Sequence, residues 1–323
     1  MNPLHINPAF TGAYEGTYRI GGIYRDQYRS VVTRAYSTPA VYIDAPILMI
    51  GKRHWIGVGA LMFRDQAGDG KLQTNSFQFS GTFHAAMDKK GKNVLTLGLQ
   101  GGKVRRSLKD GVNAFIFSDE NEDHQVNGTP YSSTVSMDDD VFDLNGDPDT
   151  SFTDINAGLL FKSKMSKTAD FNIGFSVRHI TTPMVTLRKK AIGNQPPDLS
   201  MRLTAHAQVN AALTDKWSIT PEIYYTNLTP ASQFQIHGWA GYMLKPEKNI
   251  KLNFGLGYRT SDAGQVLLGL DFKDIKAALS YDITLSDLSE ANNRRGGFEI
   301  ALYYIGKIYK KPAVKPAVLC PHL

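Results

Sequence analysis

Residues able to do chemistry are few and scattered in this 323-residue chain. Three of its eight histidines, His84, His206 and His237, fall on the polar phase of alternating segments. A histidine next to a serine or an aspartate can serve as a general base for a nucleophile. No nucleophile motif accompanies these three, and hydrogen bonding to polar neighbours is their plain reading. No catalytic residue is expected.

A second group is acidic. Asp143-Leu144-Asn145-Gly146-Asp147-Pro148-Asp149 places side-chain oxygens at alternate positions around a glycine turn, with Asp138, Asp139 and Asp140 just upstream. Hard cations want such oxygens. Asp143, Asn145, Asp147 and Asp149 are therefore candidate metal ligands, and Ca2+ is the one cofactor candidate. The bidentate glutamate of a helix-loop-helix site is missing, and a solvated acidic loop is the competing reading. Cys320 is the only cysteine, which rules out an internal disulfide. It could cross-link a partner in an oxidising compartment or remain a capped thiol. Pro312, Pro316 and Pro321 read as an extended tail suited to docking along another protein, with a disordered end as the equal alternative. Gly21-Gly22 and Gly101-Gly102 lack a following helix, so they are not phosphate loops.

The elements around these residues have a period of two. In 76–85, Phe77, Phe79, Gly81, Phe83 and Ala85 oppose Ser76, Gln78, Ser80, Thr82 and His84. In 201–211, Met201, Leu203, Ala205, Ala207, Val209 and Ala211 oppose Arg202, Thr204, His206, Gln208 and Asn210. Fourteen such segments can be marked, near 17–27, 38–48, 53–65, 74–86, 93–107, 152–163, 170–181, 200–212, 216–228, 233–244, 249–260, 264–273, 275–284 and 296–308. Most have the length a tilted strand needs to cross hydrocarbon. Their even number suits a bacterial single-chain barrel. The fold expected is all-β, a transmembrane antiparallel up-and-down β-barrel of 14 strands.

Every second connection is short: 49–52, 87–92, 164–169, 213–215, 245–248 and residue 274. Short periplasmic turns and longer outer loops are the rule for such barrels. The short turns carry Lys52, Arg53, Lys89, Lys90, Lys92, Lys164, Lys167, Lys245 and Lys248, whereas loop 108–151 holds eleven acids and one lysine. Such sorting of a +6 net charge excludes a nucleic-acid groove and fits two sides of a membrane. Trp217 and Tyr225 lie eight residues apart on one strand, a spacing of roughly 20 Å after tilt, close to the distance between aromatic girdles. Trp55, Tyr242 and Tyr258 sit near strand ends and complete the expected girdle set.

No run of 18 apolar residues is present, so no helix can span a membrane. No repeat of 20–50 residues suggests a propeller. The start, Met1 to Pro8, lacks the basic and apolar regions of an export signal, so the barrel reading expects a processed or truncated chain. Three parts are expected: an N-terminal periplasmic segment over 1–16, the barrel over 17–308 with the long outer loop 108–151, and a periplasmic tail over 309–323. That loop is too long for idle connection. Val112, Phe115 and Phe117 want burial, and with Asp138, Asp139 and Asp140 they form the candidate partner-binding set.

Asn7-Pro8-Ala9-Phe10-Thr11-Gly12, preceded by Met1-Asn2-Pro3-Leu4, resembles the opening of the PorP/SprF family of the Bacteroidetes type IX secretion system. Tyr24-Arg25-Asp26-Gln27-Tyr28 resembles a second family segment, with Tyr28 where Trp is usual. Gly57-Val58-Gly59 with Asp65-Gln66-Ala67-Gly68 resembles a third. The ending Cys320-Pro321-His322-Leu323 is similar to a terminal Cys-Pro-Arg-Phe but departs from it at its last two positions. The resemblance implies a non-enzymatic outer-membrane barrel of the secretion and gliding apparatus that binds, helps export or anchors a large adhesin through its C-terminal domain. Its implied partners are outer-membrane lipid, the adhesin and other type IX or gliding components. Read from the residues alone, a channel for small solutes is the alternative, with Arg178, Arg202, Lys251 and Arg259 in its lumen selecting anions. A barrel enzyme built on His84, His206 or His237 is the third reading.

Overall fold

The computed structural model describes residues 2–27, 29, 36–68, 71–108, 125–126, 129–130, 149–185 and 199–308. Fourteen strands form one closed antiparallel barrel. They are β1 (Tyr18–Gln27), β2 (Tyr36–Ile50), β3 (His54–Ala67), β4 (Leu72–Ala86), β5 (Asn93–Leu108), β8 (Asp149–Lys164), β9 (Ala169–Arg178), β10 (Arg202–Ala212), β11 (Trp217–Leu228), β12 (Ala231–Lys245), β13 (Ile250–Arg259), β14 (Ala263–Phe272), β15 (Ile275–Thr284) and β16 (Arg295–Gly306). Two two-residue strands, β6 (Gln125–Val126) and β7 (Thr129–Pro130), pair with each other within the β5–β8 connection. Each barrel strand pairs with its neighbour in sequence, and β1 closes on β16 from Tyr18↔Gly306 to Gln27↔Gly297. Closure leaves no edge whose backbone groups would face lipid unpaired.

The burial pattern is that of a soluble protein turned inside out. On β4, Gln78 and His84 are 0% exposed while Phe79 is 60% exposed. The same inversion recurs at Leu97 and Leu99, at Ile173 and Phe175, and at Phe254 and Leu256, all exposed on the outer wall. An outer belt of Phe, Leu, Ile and Val is stable only where the surrounding solvent is apolar. Among the described residues no helix is long and apolar enough to cross a membrane.

The largest departure from the expected layout concerns the N-terminus. Residues 1–16 were expected as a periplasmic segment ahead of the barrel, but from Asn2 onward the segment runs inside the bore. It folds as a short helix, α1 (Pro3–Ile6), followed by a 3-10 turn over Pro8–Phe10. The reason lies in a repeated Asn-Pro pair. Asn2 caps α1 by accepting from the Leu4 amide at 3.1 Å, and Asn7 caps the 3-10 turn by accepting from the Ala9 amide at 2.9 Å. Proline follows at the first helical position in both, where its missing N–H costs nothing. The apolar clusters lie inside the barrel on this segment: Leu4 with Tyr42 and Leu61, and Ala9 and Ala13 with Leu160.

Candidate functional site

The lumen is the candidate site, and its two sides differ. On the side of β2–β5 and β8–β10, the wall grips the N-terminal segment. Asn7 Nδ2 lies within hydrogen-bond reach of the Leu159 carbonyl at 3.0 Å, the Phe175 carbonyl at 3.3 Å and His206 Nε2 at 3.1 Å. Phe10 stacks on the His206 ring at 4.9 Å. The Thr11 carbonyl accepts from Thr82 Oγ1 at 2.8 Å and His84 Nε2 at 2.9 Å, which leaves His84 Nδ1 to accept from Thr96 Oγ1 at 2.8 Å. Ser176 donates to the Ile6 carbonyl at 2.6 Å and Gln100 to the Leu4 carbonyl at 3.3 Å. A buried segment needs such partners for its backbone groups, which no longer reach water.

Two wall glycines admit the segment. A Cβ on Gly158 would lie 1.9 Å from Asn7 Oδ1, and one on Gly98 would lie 2.6 Å from the Ala9 nitrogen. Any larger side chain there occupies space already filled by the segment.

Near the short-turn end, one ion pair locks the exit of the segment. Arg19 grips Asp44 through Nε–Oδ1 and Nη2–Oδ2, both 2.9 Å, and its Nη2 also reaches the Phe10 carbonyl at 3.2 Å. Asp44 Oδ2 accepts in addition from the Gly12 amide at 2.7 Å. Burial and the nearby Asp44 carboxylate raise the Tyr14 phenol above its ordinary range. Lys162 donates to the Ala13 carbonyl at 2.7 Å. Outside this knot, Lys164 bonds the exposed Glu15 at 2.8 Å, and that hydrogen bond lowers the Glu15 carboxyl from its usual value.

Beside the segment lies an open cavity of about 1240 Å³, lined by the segment and by residues of all fourteen barrel strands, with β11–β16 and β1 forming the wall opposite the segment. Its wall is charged. Arg259 bonds Asp282 and Asp262, both at 2.7 Å, and Asp282 also accepts from Gln265 at 2.8 Å. Lys276 lies 3.4 Å from Asp271, and Glu222 accepts from Gln208 at 2.7 Å. His237 bonds Gln265 at 2.7 Å.

Several expected site residues can now be placed. Trp217, Tyr225 and Tyr258 are exposed on the outer wall, and Tyr242 packs against Trp217 at 4.8 Å. Trp55 is a correction. It does not face lipid, because its indole donates to the Gly12 carbonyl at 3.0 Å and its ring stacks on His84 at 4.5 Å. Asp149 lies at the start of β8, where Arg105 reaches it at 2.8 Å, so this carboxylate already has a cation. Val112, Phe115, Phe117, Asp138, Asp139, Asp140, Asp143, Asn145 and Asp147 lie outside the described residues, as do Cys320 and the tail 309–323.

Sequence reasoning missed the pairing of the N-terminal motif with the wall. The available signal was the Asn-Pro repeat together with Gly57, Gly98 and Gly158 in segments otherwise rich in large residues. The Gly57-Val58-Gly59 stretch now has a physical account: a Cβ on Gly57 would lie 2.6 Å from the Thr11 carbonyl oxygen.

Comparison with protein families matches residues 1–304 to the type IX secretion system membrane protein PorP/SprF. The chain belongs to the PorP/SprF family. No curated relative matches this PorP/SprF chain. Among solved structures it is similar to the Pseudomonas putida toluene transporter TodX (TM-score 0.53, 9% identity, 93% of this chain and 92% of that one). It is also similar to the Ralstonia pickettii toluene transporter TbuX (TM-score 0.51, 10% identity, 95% and 93%). At these identities the likeness is one of fold. Family, closed barrel and apolar outer belt together make this PorP/SprF protein an integral outer-membrane protein.

Proposed function

We propose that this barrel binds, helps export or anchors a large surface adhesin through the adhesin's C-terminal domain, as part of the type IX secretion and gliding apparatus. The observation that carries the reading is the occupied bore. A segment fixed across one side of the lumen narrows the free bore, which supports a protein-binding role over a wide solute pore. In this reading the long-loop end faces outward. Val112, Phe115 and Phe117, with Asp138, Asp139 and Asp140, contact the cargo, and Asp143, Asn145 and Asp147 give that loop its affinity for Ca2+. The basic short turns and the tail 309–323 face periplasmic components. In this reading the role is non-enzymatic, and the hydrogen bonds of His84, His206 and His237 to polar neighbours support structural roles for these rings.

The test is extraction from native outer membranes in mild detergent, gentle cross-linking and mass spectrometry. A large adhesin in stoichiometric amount is expected, and deletion of residues 112–149 should abolish its surface display. A lone barrel after cross-linking, with display unchanged by the deletion, would overturn the reading.

A second reading, a channel for small solutes, is favoured by the charged cavity beside the segment. Steady ion-selective steps in planar bilayers would support it, and a silent bilayer would count against it.

A further inference from the structure

The lumenal cations are not equally provided for. Arg19 faces Asp44, Arg259 faces Asp282 and Asp262, and Arg25 lies 3.6 Å from Asp282. Arg178 and Arg202 differ. They end adjacent strands β9 and β10 and stand directly opposite each other in the ladder. Like charges in that relation repel. Both line the cavity, and Arg178 is only 4% exposed. Nε of each guanidinium is buried without a hydrogen-bond partner. Arg178 uses Nη1 to reach His5 Nε2 at 2.6 Å, a ring whose pKa burial and the two arginines push well below the usual value, so it accepts as a neutral group. Among the described residues Arg202 has no hydrogen bond or ion pair. The carboxylate within electrostatic reach of Arg178, Asp154, is already bonded by Gln78 and His179, both at 2.9 Å. Asp154 is one carboxylate for two desolvated guanidiniums, and a pair of them side by side with so little counter-charge is strongly unfavourable.

We infer that Arg178 and Arg202 form a binding site for an oxyanion, a carboxylate or phosphate group that enters through the lumenal cavity. Two forks of N–H donors that share one face match the paired oxygens of either group. His5 orients Arg178 from the N-terminal segment, so the site is complete only with that segment in place. The inference is independent of the adhesin reading, since it concerns the bore and not the loops.

The experiment uses the full chain refolded in detergent and follows the midpoint of its heat-modifiable electrophoretic mobility. Inorganic phosphate and a blocked Asp-Asp dipeptide are titrated against chloride at equal ionic strength. The expected result is a saturable rise in midpoint with at least one probe, weakened tenfold or more by Arg202→Gln and less by Arg202→Lys. Arg105→Gln, which changes an exposed arginine at the far side of β5, should saturate as the unaltered protein does. Saturation by phosphate alone assigns the site to phosphate, and saturation by the dipeptide assigns it to carboxylate. A rise no larger than with chloride, or equal affinity in a folded Arg202→Gln barrel, overturns the inference.

Discussion

The two sides of the lumen are held by different physics. Around the middle of the N-terminal segment the wall is mostly neutral, with Gln78, Ser80, Thr82, His84, Thr96, Gln100 and Asn156 buried and bonded to the segment or to one another, while charged groups hold its two ends: Arg178 at His5, and Arg19, Asp44 and Lys162 at the exit. The cavity side uses charge, with Arg259, Asp282, Lys276, Asp271 and Glu222. Neutral hydrogen bonds suit a dry packed interface, where an ionic group would lose its hydration for little return. Charged pairs suit a water-lined wall. The contrast separates the stretch of wall packed on the middle of the segment from the stretches that face the cavity.

The largest test of this contrast is Gly158→Val. The branched side chain must collide with Asn7 and drive the segment out, and single-channel conductance should rise several-fold. Gly81→Val is the matched control, since a Cβ there meets nothing within 4 Å. Equal conductance in the two variants would erase the distinction between the sides. Next comes Arg259→Gln, which takes the guanidinium from Asp262 and leaves Asp282 with Gln265 and the more distant Arg25, and should cost about 3 kcal/mol. If the cavity is wet, that loss should shrink in 1 M salt. Asn7→Ala should cost about 2 kcal/mol by leaving buried acceptors unmet, with no salt dependence. A salt-sensitive Asn7→Ala would show that water reaches the packed side as well.

The smallest effect is at the rim. Lys164 holds the Glu15 carboxyl below its usual pKa, so the pair contributes fully above the unfolded value of about 4.3 and fades as pH falls through the folded value. Because the pair is exposed, Glu15→Gln should remove at most about 0.5 kcal/mol near neutral pH and flatten the acid limb of the stability profile. Equilibrium unfolding in urea at several pH values measures it.

The barrel was legible because its rule is local. Strict alternation at Phe77–Phe83 and Met201–Ala211 sets which face meets lipid, and the parity of loop lengths sets strand direction. The site was not legible, because its rule is non-local. Asn7 meets His206, 199 positions away, and nothing in a six-residue motif says which wall it will touch. Trp55 failed for a different reason. Both phases of β3 are apolar, Trp55 and Leu61 on one and Ile56 and Val58 on the other, so alternation could not tell inside from outside. The small residues Gly57 and Gly59, which share Trp55's phase, were the deciding signal.

The ladder between β1 and β16 has a consequence for assembly order. The segment held within the bore precedes the first strand, and the barrel closes only when the last strand joins it. A wall that seals before its filling is in place would have to be entered again through its mouth. With Gly16 and Thr17 leading directly into β1, the tether is so short that the segment samples the half-built interior at an effective concentration near the millimolar range. The filling thus acts as a mould on which the curved sheet can be laid down. An N-terminal truncation should therefore slow barrel insertion even where the finished wall is stable.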